Sequence, residues 1–134
     1  MSSAPITKKL RLLPGYRALV LNAPPGYLDQ LGELPENVTL EAEPAGTFDF
    51  VHLFARDRAE LERFWPAVLG ALRYDGVLWI SYPKRSSKVE SDLTRDEGWV
   101  IVGKAGLRPV TQVSVDETWS AVRFRPVERV KAKK

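Results

Sequence analysis

The side chains that could do chemistry gather in a few short stretches, each directly after an apolar run. Asn22-Ala23-Pro24-Pro25-Gly26 follows Ala18 to Leu21, and Glu43 comes about 20 residues later, after Val38 to Ala42. Arg56 follows Phe50 to Phe54, and Tyr82-Pro83-Lys84-Arg85-Ser86-Ser87 closes the run Val77 to Tyr82. Ligands of open parallel sheets bind beyond the carboxyl ends of the strands, so these positions form the candidate site. Lys84, Arg85, Ser86 and Ser87 are the richest group, because two cations and two hydroxyls can hold an anion by charge-assisted hydrogen bonds. Asp116, in the short connection Asp116-Glu117-Thr118, is placed to face that loop. The ligand-binding candidates are therefore Asn22, Gly26, Glu43, Arg56, Tyr82, Lys84, Arg85, Ser86, Ser87 and Asp116.

Other chemistries lack their residues. The chain has no cysteine and one histidine, which excludes disulfides, thiolate metal sites, a cysteine nucleophile and a histidine cluster for zinc. No serine stands between glycines as in a nucleophile elbow. His52 lies inside its apolar run, which predicts a buried, hydrogen-bonded structural imidazole. Asp92, Arg95 and Asp96 suit acid/base work, but equally a solvated first helical turn with carboxylates near its positive end. No catalytic residue and no metal ligand is assigned. Trp119 reads as a packing or interface residue. Aromatic and basic residues are not interleaved, so a stacking platform for single-stranded nucleic acid is not indicated.

The elements that must hold these residues centre on Phe48 to Ser87. Phe50 to Phe54 is apolar at nearly every position, as in a parallel strand covered on both faces. A helix should open at Asp57, with Glu60 completing a capping box. Leu61, Phe64, Trp65, Val68, Leu69 and Leu72 recur at offsets of three and four and form the stripe that faces the sheet. Pro66 predicts a kink or a restart. Asp75-Gly76 should end the helix and lead into Val77 to Tyr82.

Before this unit, Leu10 to Leu13 forms a lead-in, Arg17 to Leu21 a strand, Tyr27 to about Leu34 a helix with Leu28 and Leu31 inward, and Val38 to Ala42 a third strand. After it, Ser91 to Ala105 reads as a helix ended by Gly106. Pro109 to Val115 and Trp119 to Phe124 alternate, and the link between them is too short for a crossover, so they pair as an antiparallel hairpin. The 134 residues predict one domain over 1–126 and a basic, flexible tail over 127–134. Net charge is +3, part of it in that tail. The amino terminus carries no apolar core and no later run suits a membrane helix, which predicts a soluble, cytoplasmic protein.

This order resembles the S-adenosylmethionine-dependent methyltransferase fold. FDFVHLF is similar to that family's middle strand and LRYDGVLWI to its "LKPGG" turn and following strand, with one strand and helix missing before Phe48. NAPPGYL, FDFVHLF, GVLWISYPK and DETWSAVRFRP together resemble a family of small bacterial proteins of this fold without an assigned function. The resemblance implies an α/β class: a methyltransferase-like Rossmann sheet, mostly parallel, of about six strands, with a C-terminal antiparallel hairpin.

In the larger family the first strand ends in an acidic residue and a glycine-rich loop that holds the cofactor. Here Asn22 is neutral, and Pro24 and Pro25 offer no N–H. The expectation is that no cofactor is bound, S-adenosylmethionine included. Glu43 matches the carboxylate that related folds place on ribose hydroxyls. The expected function is binding or regulatory rather than catalytic, with a small anion or a protein as partner. The alternatives are a methyltransferase with a modified cofactor loop, and a nucleic-acid binder acting through Lys84, Arg85 and the tail.

Overall fold

Strands β1 (Arg17–Leu21), β2 (Thr39–Glu41), β3 (Phe48–Phe54), β4 (Leu72–Pro83), β5 (Leu107–Ser114) and β6 (Trp119–Pro126) make one sheet in the order β2-β1-β3-β4-β6-β5. The computed structural model describes residues 6–85, 87, 91–94 and 98–130. The first four strands are parallel, and β6 returns antiparallel between β4 and β5. This is the mostly parallel sheet with a terminal hairpin that the apolar runs and the short 116–118 link predict.

Residues of β1, β3 and β4 are buried on both faces, which is why their sequences are nearly continuous apolar runs. On one face Leu19, Leu21, Val51, Leu53, Leu78 and Ile80 pack with Leu61, Trp65 and Val68 of helix α3 (Arg58–Ala71). On the other, Ala18, Val20, Phe50, Phe54, Val77 and Trp79 meet Leu10 and Leu12, which follow α1 (Ile6–Lys9), and Tyr27 and Leu31 of α2 (Tyr27–Leu31).

Asp57 caps α3, its Oδ1 accepting from Glu60 N at 2.9 Å. The capping box is shifted by one residue: Glu60 Oε1 accepts from Arg56 N at 2.9 Å rather than from Asp57. The helix runs through Pro66 as one element, so of the expected kink or restart the restart does not occur. Pro66 and Glu62 are both exposed, so the carbonyl that loses its donor lies on the solvent side, where water can replace the bond.

Four further expectations are corrected. The helix ends at Ala71, and Asp75-Gly76 lies inside β4. There Asp75 takes φ +55, and the register with β3 jumps from Phe48 opposite Leu72 to Phe50 opposite Val77, a bulge rather than a helix stop. In α2 the inward residues are Tyr27 and Leu31, whereas Leu28 is 54% exposed. Of the helix expected over Ser91 to Ala105, the described residues form only α4 (Val100–Lys104). Gly98 is the reason: its φ is +99, and a Cβ there would stand 2.4 Å from a Leu93 methyl, so the backbone turns under Leu93 instead of winding on. Val127–Val130 forms a last helical turn, α5, and the rest of the expected tail lies outside the described residues.

Candidate functional site

The carboxyl ends of β1 and β2 enclose a cavity of about 210 Å³ lined by Val20, Asn22, Ala23, Leu28, Leu40, Glu41 and Ala42. Five of these seven side chains are apolar, and the exposure of Leu28 is explained by its place on the cavity wall. Asn22 adopts φ +59, a conformation that asparagine tolerates better than most residues. Its Nδ2 donates to Phe54 O at 2.8 Å and Glu60 Oε1 at 3.1 Å, so the loop after β1 is tied to the end of β3 and the start of α3. Gly26 turns the chain into α2 at φ +87, and a Cβ added there would meet nothing within 4 Å. Its use is conformational, and the space beside it is open.

Arg56 belongs to the same corner. Its guanidinium bonds Glu60 Oε2 through Nη2 at 2.6 Å and Nε at 3.1 Å, and this pairing holds the Glu60 carboxyl below its ordinary range. Glu43 is exposed on the turn after β2 and does not line the cavity. Glu41 does, a residue the sequence reading passed over. Arg17 grips it at 2.7 and 3.0 Å and lowers its pKa through those bonds. The sequence carried a signal for it: Glu41 is the last residue of a strand that ends beside the first strand's loop.

Tyr82 and Lys84 lie further along the same edge, at the end of β4, and are engaged with the hairpin. Lys84 Nζ donates to Ser114 Oγ at 2.6 Å, and Lys84 N donates to Thr118 O at 2.7 Å. Ser87 donates back to Lys84 O through N and Oγ, at 3.0 and 2.7 Å. Asp116 Oδ1 accepts from Thr118 N and Trp119 N, both at 2.8 Å, and so builds its own turn. Tyr82 is buried on the α3 face, edge-on to Trp99, with its hydroxyl accepting from Gln112 at 2.9 Å. Arg85 is exposed, and Ser86 lies outside the described residues. The helix start expected near Ser91 to add backbone donors to this loop is not there, because α4 begins at Val100.

Between the two groups His52 is fully buried, as its sequence position predicts. Its Nδ1 shares a 2.7 Å hydrogen bond with the Tyr27 hydroxyl and its Nε2 a 2.6 Å bond with Ser81 Oγ. Burial pushes the imidazole pKa down to about 3 and raises that of the Tyr27 phenol. The relay fixes α2, and with it the cavity wall, against β3 and β4. Among the described residues no cluster of potential metal ligands occurs, and no helix is long and apolar enough to cross a membrane.

No protein-family model and no curated protein matches the chain. Solved structures do. One is a SAM-dependent methyltransferase from Aquifex aeolicus, 16% identical with TM-score 0.58, covering 89% of this chain and 86% of that one. A second is the DhpI–SAH complex, 15% identical with TM-score 0.60, covering 91% and 82%. A third is the N-methyltransferase NodS from Bradyrhizobium japonicum WM9 in complex with S-adenosyl-L-homocysteine, 12% identical with TM-score 0.56, covering 90% and 83%.

At these identities the likeness is one of fold, and it corrects the expectation that S-adenosylmethionine is excluded. Folds similar over most of this chain are solved as complexes of SAM or its product. Pro24 and Pro25 do not by themselves close the site. They remove two donors, but the loop that contains them leaves an apolar cavity at its side and open space at Gly26. The mostly parallel sheet and its returning hairpin place the chain in the methyltransferase-like α/β fold class.

Proposed function

We propose that the chain is an S-adenosylmethionine-dependent methyltransferase with a modified cofactor loop, the nucleoside lying in the cavity after β1 and β2. The observation that carries this reading is the cavity itself, apolar on most of its wall and set at the carboxyl ends of adjacent parallel strands. Its residues fit a nucleoside: Val20, Leu28, Leu40 and Ala42 offer the apolar faces that a base needs. Asn22 offers a side-chain carbonyl oxygen for a hydroxyl donor, and Glu43, on the turn after β2 outside the cavity lining, an exposed carboxylate. Glu41 is less available, because Arg17 already occupies both of its oxygens. The bound cofactor would supply an electrophilic methyl group on a sulfonium. The protein's own part is to exclude water from the base and to hold the loop geometry, through Asn22 and through the Tyr27–His52–Ser81 relay.

Thermal unfolding in the presence of S-adenosylmethionine and S-adenosylhomocysteine tests this. A ligand at a hundred times its Kd stabilises by about 2.7 kcal/mol, so a clear upward shift is expected. Ala42→Trp should abolish the shift, because an indole at that exposed cavity wall takes the space of the base while leaving the unliganded midpoint unchanged. Absence of any shift in the wild-type protein, or a full shift in Ala42→Trp, contradicts the reading.

A further inference from the structure

Arg123 carries a charge that the described residues do not balance. It stands on β6 between Trp79 of β4 and Thr111 of β5, its Nε buried and without a hydrogen-bond acceptor. Trp79 Nε1 donates to Leu10 O at 2.7 Å, and this bond brings the following residue, Arg11, to the same face at φ +61. Burial, then repulsion from Arg11 and Arg125, pushes the Arg123 pKa down. In the next row of the register Arg125 faces Arg108. Asp75 is the carboxylate within reach, and it is already held by Arg125 at 2.8 Å and Arg129 at 3.2 Å. Arg11 and Arg108 are exposed, and among the described residues no carboxylate pairs with either. Arg11, Arg108 and Arg123 therefore carry unneutralised charge on or beside β4, β6 and β5, across the sheet from the β1 and β2 ends that hold the cavity.

We propose that Arg11, Arg108 and Arg123 form a receptor for a phosphate dianion. Guanidinium forks match phosphate oxygens two at a time, and a half-buried fork with an unused N–H gains more from an anion than a solvated lysine does. Thr111, beside Arg123 and exposed, adds a hydroxyl donor. A doubly charged group suits three cations better than a carboxylate or a phosphodiester, each of which carries one charge. Free phosphate and a phosphomonoester share this chemistry.

Calorimetric titration at low ionic strength, where exposed charges are least screened, decides the matter. Three probes serve: inorganic phosphate, phenyl phosphate, and a single-stranded oligonucleotide without terminal phosphates. Saturable binding of one or both dianions is expected, the tighter of the two naming the source. Arg123→Gln and the exposed Arg11→Ala should each weaken it at least tenfold. The exposed Lys104→Ala and the cavity variant Ala42→Trp should bind as wild type does, which separates this site from the cofactor cavity. No saturable dianion binding, binding of the oligonucleotide alone, or undiminished binding in Arg11→Ala overturns the proposal.

Discussion

His52 is neutral when buried and protonates first in the unfolded chain, and this difference makes stability depend on pH. Its folded pKa of about 3 lies below the ordinary 6.5, so its contribution is complete above pH 6.5 and is lost as pH falls. Between about pH 7.5 and about pH 5 the unfolding free energy should drop by roughly 2 kcal/mol, measured by urea unfolding at each pH. Glu41 and Glu60, whose pKa values are lowered by Arg17 and Arg56, add their own losses only near and below their ordinary value of 4.5. His52→Gln should flatten the slope above pH 5, whatever its effect on stability, and an unchanged slope would remove His52 as its source. The burial of His52 was legible in the sequence, since it interrupts an apolar run. Glu41 and Arg123 were not, because their meaning depends on partners brought in by the sheet. Arg17 is 24 residues from Glu41, and the Arg11 charge acts on Arg123 only because β6 returns beside β4.

The elements with the clearest periodicity are those that the sequence predicts best. The stripe of α3 is buried at Leu61, Trp65 and Val68, and Asp57 caps it as its type and position require. Trp65→Ala should therefore cost on the order of 3 to 5 kcal/mol in urea unfolding, while Glu62→Ala, on the exposed face, should cost less than about 0.5 kcal/mol. Comparable losses would mean that another face of the helix meets the sheet. The stripe ends sooner than its spacing suggests, since Leu69 is 47% exposed and Leu72 already belongs to β4. Elements read from weak patterns fared worse. Ser91 to Ala105 contains apolar residues at helical offsets, but Gly98 is needed at positive φ beneath Leu93, a tertiary demand that no local pattern announces. In short α2 Leu31 is buried as expected, whereas Leu28 serves the cavity rather than the core.

At the scale of the whole molecule, continuous apolar runs gave β1, β3 and β4 their places as covered parallel strands, and alternation identified the hairpin that closes the sheet. The same topology puts the ends of β1 to β4 on one edge. The Asn22 corner and the Lys84 loop therefore share that edge, although one flanks a cavity and in the other Lys84 is bonded to the hairpin. The cavity could not be seen from the loop's composition, because volume is a property of how α2 and β2 flank β1. Its occupation by a nucleoside is the central claim. The most direct test is a titration of the isotope-labelled protein with S-adenosylhomocysteine followed by backbone amide NMR. The account predicts saturable shifts concentrated at Asn22, Ala23, Gly26 and Leu28 and at Leu40 to Glu43, with little change at Arg108, Thr111 or Arg123. No saturable shifts, or shifts centred on the Lys84 loop or the arginine cluster instead of the β1 and β2 ends, would contradict it.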